Sequence, residues 1–245
     1  KAPVVEKFFK HPEAKIYFNG TVIVNKLPAS KFVIIYFVGT EYRDSKKYLS
    51  VTSNWKAALA NAATHEYQHL VQFSKTITTP NGNLQEKLPC WFNEGMAAFY
   101  EDSLYFETST AQGSLKYLQS NADTRSESLK VREKRFDSLM SLTKSISFER
   151  SSSDGWLSFV SNNYEQSSPV CSETQYGYTL GRFLLEKLYI DNGSDGILAV
   201  LEEIRLTLDF DKAFNVVFGV TPQLWLKETG IPYFLQQAKE VSSKI

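Results

Sequence analysis

Two histidines placed four positions apart are the residues of this 245-residue chain whose types and spacing could do chemistry. His65 and His69 flank Glu66, and positions four apart lie on one face of a helix. Both imidazoles could therefore bind a single zinc ion, while Glu66 acts on a water molecule at the metal. The chain holds only three histidines, so chance rarely produces this arrangement. The spacing predicts a zinc site built on a helix.

The segment that leads into the motif predicts this helix. Residues 53–64 are rich in alanine, the best helix former, and Ser53 or Asn54 could cap the N-terminus. Alanines spread around the circumference indicate a helix that is buried on most sides. The alternative is a pair of hydrogen-bonded core histidines without a metal. We disfavour it because burying two imidazoles and a carboxylate together is costly.

A catalytic zinc needs a third protein ligand and one open coordination position. An extended motif with a third histidine six residues after His69 is excluded, because Lys75 occupies that position. A carboxylate on a second helix remains, and Glu94 is the best candidate. Glu94 lies in the apolar run 89–100, which predicts a helix in which an unpaired carboxylate would be expensive.

These two segments carry a resemblance to a known family. The histidine motif, followed by the run WFNEG at residues 91–95, resembles the gluzincin zinc metallopeptidases, in particular their hyicolysin-type bacterial branch. The similarity is specific over residues 55–102. It is weaker over residues 176–185 and 210–220, which look like the helical C-terminal half of many gluzincins.

The resemblance implies roles for individual residues. His65, His69 and Glu94 would bind one catalytic Zn²⁺ ion, and Glu66 would be the general base. Glu66 would take a proton from the zinc-bound water and hand it to the leaving amine of the peptide. The oxyanion of the tetrahedral intermediate also needs a hydrogen-bond donor.

Two tyrosines are candidates for this donor. The third histidine, His11, lies far upstream in a charged stretch that we interpret as surface. Other gluzincins present a phenol from the region of Tyr176 and Tyr178, so the resemblance favours one of these two residues. The alternative is that both tyrosines have only a packing role.

Thermolysin-like enzymes have a carboxylate four residues after the glutamate ligand, and it orients one of the ligand histidines. In this sequence that position is Ala98. Support for the ligand histidines must therefore come from another residue. Glu101 and Asp102 lie about two helical turns after Glu94 and could reach back towards a ligand histidine. The alternative is that both form the solvated polar end of the helix.

The rest of the sequence predicts the fold around the site. Residues 14–25, 31–39 and 47–52 have strand patterns, whereas the chain after residue 102 is mostly helical in pattern. We therefore predict a zincin-like α+β fold, in which residues 1–102 form a small mixed β-sheet with the zinc helix. Residues 103–245 would form a mainly helical subdomain of the same catalytic unit, with the zinc cleft between the two parts.

The two cysteines leave two interpretations open. Cys90 and Cys171 precede the segments that carry Glu94 and Tyr176, so a disulfide could join them if both segments border one cleft. Otherwise they are two separate buried thiols.

Composition and charge limit the partners. The 27 basic and 27 acidic residues cancel, so no overall field attracts nucleic acid or an anionic membrane. The sequence contains no span of about eighteen apolar residues, so it predicts no transmembrane helix. The chain begins with Lys1, as a processed or truncated protein would. We expect an exported protein that is secreted, held at the cell surface or periplasmic.

The sequence thus predicts a zinc-dependent metallopeptidase, a hydrolase with endopeptidase activity on peptide or protein substrates. One alternative is an inactive or weakly active metallopeptidase-like binding module that presents the cleft to a protein partner. The presence of Glu66 argues against this alternative, because a purely structural site would need no general base. Another alternative is a zinc hydrolase whose substrate is not a peptide.

Overall fold

Helices dominate the structure, a computed structural model that describes residues 22–26, 33–37, 55–79, 82–110, 125–173 and 176–242. In chain order the helices are α1 (Trp55–Thr76), α2 (Cys90–Thr110), α3 (Arg125–Leu142), α4 (Ser153–Asn162), α5 (Pro169–Glu173), α6 (Tyr176–Thr207), α7 (Phe210–Phe218), α8 (Pro222–Trp225) and α9 (Ile231–Ser242). The strands form two antiparallel pairs, β1 (Val22–Lys26) with β2 (Val33–Phe37) and β3 (Ile77–Thr79) with β4 (Gly82–Asn83).

The predicted α+β fold is wrong for the part of the chain that the structure describes. That part is mostly helical, and its strands occur only in two-stranded pairs, so no mixed β-sheet forms a layer. A strand pattern identifies an extended segment but not how many strands join it. Of the strand candidates at residues 14–25 and 31–39, the described parts form β1 and β2, which pair only with each other among the described strands. The candidate at residues 47–52 lies outside the described residues.

Helices α2 and α6 cross where two glycines meet. A Cβ atom on Gly95 would lie 2.5 Å from the carbonyl carbon of Gly181, and one on Gly181 would lie 2.3 Å from the carbonyl oxygen of Trp91. Only residues without a side chain allow the two backbones to approach this closely. A Cβ atom on Gly177 would likewise lie 2.9 Å from the Cβ of Glu94. The crossing therefore places the first turn of α6 directly beside Glu94.

An aromatic cluster holds the N-terminal end of α2 against α7 and α8. The side chain of Trp91 is fully buried and stacks on Trp225 with a ring-centroid distance of 5.9 Å. Phe210 and Phe214 meet the Trp91 ring edge-to-face at 6.1 and 6.4 Å. Aromatic rings bury large apolar areas, so this cluster fixes the helix that carries Glu94.

A buried ion pair lies on the opposite side of α6. Arg132 of α3 donates to Glu186 of α6 at 2.6 Å, and the hydroxyl of Tyr233 in α9 donates to the same carboxylate. Phe136 of α3 stacks on Phe183 of α6 at 4.6 Å. Helix α6 is therefore packed on both sides.

A disulfide joins Cys90, the first residue of α2, to Cys171 in α5. Their Cα atoms are 6.0 Å apart, although 81 positions separate them in the sequence. Of the two interpretations left open by the sequence, the disulfide is confirmed.

The proposed division of the chain after residue 102 stays a prediction. Helix α2 continues through that position to Thr110. Among the helices that the structure describes, none has the length and apolar character needed to cross a membrane.

Candidate metal centre

Helices α1 and α2 bring the three predicted ligand residues together. The Oε2 atom of Glu94 lies 3.5 Å from Nε2 of His65 and 3.5 Å from Nε2 of His69, and the three ligand atoms lie within 4.8 Å of one another. In a tetrahedron with metal–ligand bonds of 2.0–2.2 Å, ligand atoms are about 3.3 to 3.6 Å apart. The two distances from Glu94 to the histidine nitrogens therefore suit a four-coordinate metal ion.

Two of the three candidate ligand atoms lack a hydrogen-bond partner among the described residues. Nε2 of His65 and Oε2 of Glu94 are buried, and neither has a hydrogen-bond partner in the part of the chain that the structure describes. Buried polar atoms are nearly always satisfied, because an unsatisfied one costs free energy. A cation between the imidazoles and the carboxylate would satisfy both atoms. The three residues therefore fit a divalent metal ion with an open coordination position.

The electrostatics of the site favour positive charge. Burial alone would lower the pKa of His65, but the carboxylates of Glu101 and Glu94 raise it to about 9. Burial alone would also raise the pKa of Glu94, yet the nearby imidazoles of His65 and His69 hold that pKa well below its ordinary value. The carboxylates of Glu94 and Glu101, one at each ring nitrogen of His65, thus favour positive charge at this site.

Glu101 supports His65 from its other ring nitrogen. Oε2 of Glu101 lies 3.2 Å from Nδ1 of His65, so this carboxylate reaches back to a predicted ligand histidine. Glu101 comes seven positions after Glu94, which places both on one face of α2. Burial would raise the pKa of Glu101, but His65 and the charges of Arg182 and Arg135 lower it. The side chain of Asp102 lies outside the described residues.

Gln72 supports His69 and was missed by the sequence analysis. Its Oε1 atom lies 2.8 Å from Nδ1 of His69, and its Nε2 atom donates to the carbonyl oxygen of Asn93 at 2.8 Å. The side chain of Gln72 is fully buried. The sequence signal was its position three residues after His69, on the same helix face.

Asn93 links the ligand carboxylate to a neighbouring loop. Its Nδ2 atom donates to Oε1 of Glu94 at 3.2 Å and to Oε1 of Gln166 at 3.2 Å. Gln166 in turn donates to the carbonyl oxygens of Gln85 and Leu88. The Oε1 atom of Glu94 is therefore held by Asn93, which turns Oε2 towards the histidines.

The structure distinguishes the two candidate tyrosines. The ring of Tyr178 stacks on the His65 imidazole with a centroid distance of 4.9 Å and an interplanar angle of 7°. Tyr176 is fully buried, donates its hydroxyl to the carbonyl oxygen of Asn163 and packs edge-to-face on Phe159. The structure therefore brings the Tyr178 ring to His65, one of the predicted ligands, and gives the Tyr176 hydroxyl a different partner.

The predicted general base is Glu66. Its backbone belongs to α1, but its side chain lies outside the described residues. Its catalytic role stays a prediction.

Comparisons of this chain with protein-family models, curated proteins and solved structures found no match. The gluzincin resemblance therefore stays a prediction that rests on the motif residues.

Proposed function

We propose that this protein is a zinc metallopeptidase of gluzincin type that cleaves peptide bonds within peptide or protein substrates. The observation that carries the proposal is the convergence of His65, His69 and Glu94, with buried ligand atoms of His65 and Glu94 that lack any hydrogen-bond partner among the described residues. Two imidazoles and one carboxylate are a ligand set of catalytic zinc sites, and they leave a coordination position for solvent or substrate.

A zinc ion held there would polarise the scissile carbonyl group and lower the pKa of a bound water molecule. Glu66 follows His65 directly on α1, so we assign to it the removal of the water proton and its delivery to the leaving amine. We assign oxyanion stabilisation to Tyr178 rather than Tyr176, because the Tyr178 ring lies against His65 whereas the Tyr176 hydroxyl is bonded to Asn163.

Export of the protein belongs to the same proposal. Disulfides form and persist in oxidising compartments, and Cys90 pairs with Cys171 beside the ligand helix. This pairing supports a protein that is secreted, held at the cell surface or periplasmic.

Hydrolysis of casein or gelatin tests the function. We expect cleavage that a chelator abolishes and that added zinc restores. The Glu66→Gln variant should bind one zinc ion per chain and cleave neither substrate, because it lacks only the proton acceptor. The matched control is Glu86→Gln, which changes an exposed glutamate in the same way and should cleave at the wild-type rate.

Two outcomes would contradict the proposal. Wild-type cleavage by Glu66→Gln would remove this residue from the mechanism. Stoichiometric zinc binding without turnover of any member of a diverse peptide library would favour a binding module with this fold.

A further inference from the structure

A chain of buried amide groups connects the two ligand helices beside the metal site. Gln72 on α1 bonds to His69 on one side and to the backbone of Asn93 on the other. Gln85, in the turn before α2, donates to Oε1 of Gln72 at 3.3 Å and to Oδ1 of Asn93 at 3.5 Å. The exposed fractions of these three amide side chains are 0% for Gln72, 9% for Gln85 and 3% for Asn93. Such a network holds one arrangement when all of its members are satisfied.

The donors and acceptors in this network of buried amide groups fix which ring nitrogen of His69 carries the proton. A backbone carbonyl oxygen can only accept, so the Gln72 atom that faces the carbonyl of Asn93 must be the amide nitrogen. The Gln72 oxygen must then face Nδ1 of His69, which has to donate to it. With the ring proton on Nδ1, the lone pair of Nε2 points towards the carboxylate of Glu94.

We propose that Gln72 is a positioning residue of the metal site. It holds His69 in the tautomer that presents Nε2 to the metal, and it ties His69 to the backbone of the residue that precedes Glu94. This inference rests on the zinc site of the proposed function but not on the peptidase reaction. The sequence offers a neutral amide for this purpose, whereas His65 receives the carboxylate of Glu101. The two ligand histidines therefore differ in the groups that orient them.

Zinc affinity measured by competition with a chromophoric chelator tests the proposal. In Gln72→Met the side chain keeps a similar length but offers no oxygen to accept a hydrogen bond from Nδ1 of His69. We therefore expect zinc affinity to fall about 10- to 100-fold. In Gln72→Glu an oxygen still accepts from Nδ1 of His69, although the donor to Asn93 is lost, so the loss should be smaller than in Gln72→Met. The matched control is Gln237→Met, which removes a glutamine that accepts from Arg132 in a different contact and should bind zinc like the wild type.

The cobalt-substituted proteins provide a readout of coordination geometry. We expect the visible d–d spectrum of Gln72→Met to differ from that of the wild type, because the His69 ring is no longer held. Wild-type zinc affinity and an unchanged cobalt spectrum in a folded Gln72→Met variant would overturn the proposal. Equal losses in Gln72→Met and Gln72→Glu would also overturn it, because the retained acceptor would then have no effect.

Nitrogen NMR of the zinc-loaded wild type tests the tautomer without any substitution. The three histidines of the chain allow their ring nitrogens to be assigned. We expect His69 to bind the metal through Nε2 and to carry its proton on Nδ1. Binding through Nδ1 would overturn the proposal even if every Gln72 variant failed to fold.

The two proposals fail in different ways. A protein that binds zinc and shows the predicted Gln72 effects, but cleaves no peptide, would refute the peptidase function alone. A peptidase whose zinc affinity and cobalt spectrum do not respond to Gln72→Met would refute the positioning role alone.

Discussion

His65 contacts a carboxylate at each of its ring nitrogens, with Glu94 facing Nε2 and Glu101 facing Nδ1. Glu94 is one of the proposed metal ligands, whereas Glu101 would affect the metal only by way of the His65 imidazole. A carboxylate that accepts from the outer nitrogen of a ligand histidine makes that ligand more basic and fixes its ring orientation. If His65 binds the proposed metal ion, Glu101 would therefore provide the support that Ala98, at the position used by thermolysin-like enzymes, cannot.

Substitution of Glu101 by glutamine measures this contribution. The amide keeps an oxygen that can accept from His65 but lacks the negative charge, so we expect zinc affinity to fall about tenfold, at the lower end of such effects. Chelator competition provides the measurement. The control is Glu202→Gln, which removes a carboxylate paired with Lys75 at the surface. Equal zinc affinities for Glu101→Gln and the wild type would show that His65 needs no charged partner.

Removal of Glu94 should lower zinc affinity more than any change at a residue that supports the predicted ligands. The Glu94→Ala variant loses the atom that lies 3.5 Å from both histidine nitrogens. We expect zinc affinity to fall by more than the roughly 100-fold upper limit of changes at supporting residues. Metal content measured at low free zinc checks this. Full occupancy would mean that another carboxylate, such as Glu101, completes the site.

At the scale of elements, the site depends on how closely α2 and α6 approach each other. Their backbones touch at Gly95 and Gly181, and this contact brings the Tyr178 end of α6 beside Glu94 and His65. The position of Tyr178 is thus set by Gly181, about one turn further along α6, where the absence of a side chain lets the two helices touch. A wider crossing would move Tyr178 away from the ligands.

The Gly95→Ala variant tests the close crossing. The new methyl group would lie 2.5 Å from the backbone of Gly181, so the helices must separate. We expect the free energy of unfolding to fall by about 1 to 3 kcal/mol, as in other overpacked cores. Urea denaturation measures the change. Ser138→Ala, at an exposed position in α3, is the control and should leave stability nearly unchanged. An equally stable Gly95→Ala protein would contradict the close approach.

The sequence was sufficient to predict the two helices and the residues that converge between them, His65, His69 and Glu94, whereas their binding of a metal stays a prediction. Histidine spacing, an alanine-rich run and a carboxylate in an apolar segment are local signals, and each one limits the geometry directly. The roles of Gln72 and Gln166 depend on which segments meet in space, and no local pattern encodes that. The choice between Tyr176 and Tyr178 had the same origin, because both lie in the first turn of α6 and face different neighbours.

The fold class was predicted wrongly for a related reason. Alternation of β-branched and aromatic residues identified segments that form β1 and β2, but the pairing of strands into a layer requires partners from elsewhere in the chain. The helical packing around α6 depends on close contacts at Gly177 and Gly181, and their spacing of four residues does not reveal which helix they meet. Most of the described part of the chain is helical.

At the scale of the whole molecule, a metal ion would join helices α1 and α2, which carry the ligands separately. Any ligand that binds only the folded state stabilises it. At a free zinc concentration 100 times the dissociation constant, the expected gain is about 2.7 kcal/mol. Thermal unfolding with zinc and with a chelator measures this gain. A His69→Ala variant serves as the control and should lose most of the difference, whereas an equal zinc effect in this variant would place the ion elsewhere.

The disulfide closes a long stretch of the chain next to the site. Replacement of both Cys90 and Cys171 by alanine should lower the free energy of unfolding by about 2 to 4 kcal/mol, because the unfolded chain regains conformational freedom. Urea denaturation without reductant checks this value. Addition of reductant should have no further effect on the double variant. An unchanged denaturation midpoint would show that the helical packing alone fixes the start of α2.

The pairing of Cys90 also bears on how the protein matures. Thiolates are strong zinc ligands, and a reduced Cys90 would lie one helical turn before Glu94. In a newly made chain, two free thiols would compete with the histidines for a zinc ion at the proposed site and hold it in a wrong arrangement. Oxidation removes both competitors. We therefore expect a fixed order of assembly, in which the sulfur atoms are joined first and the metal is loaded afterwards.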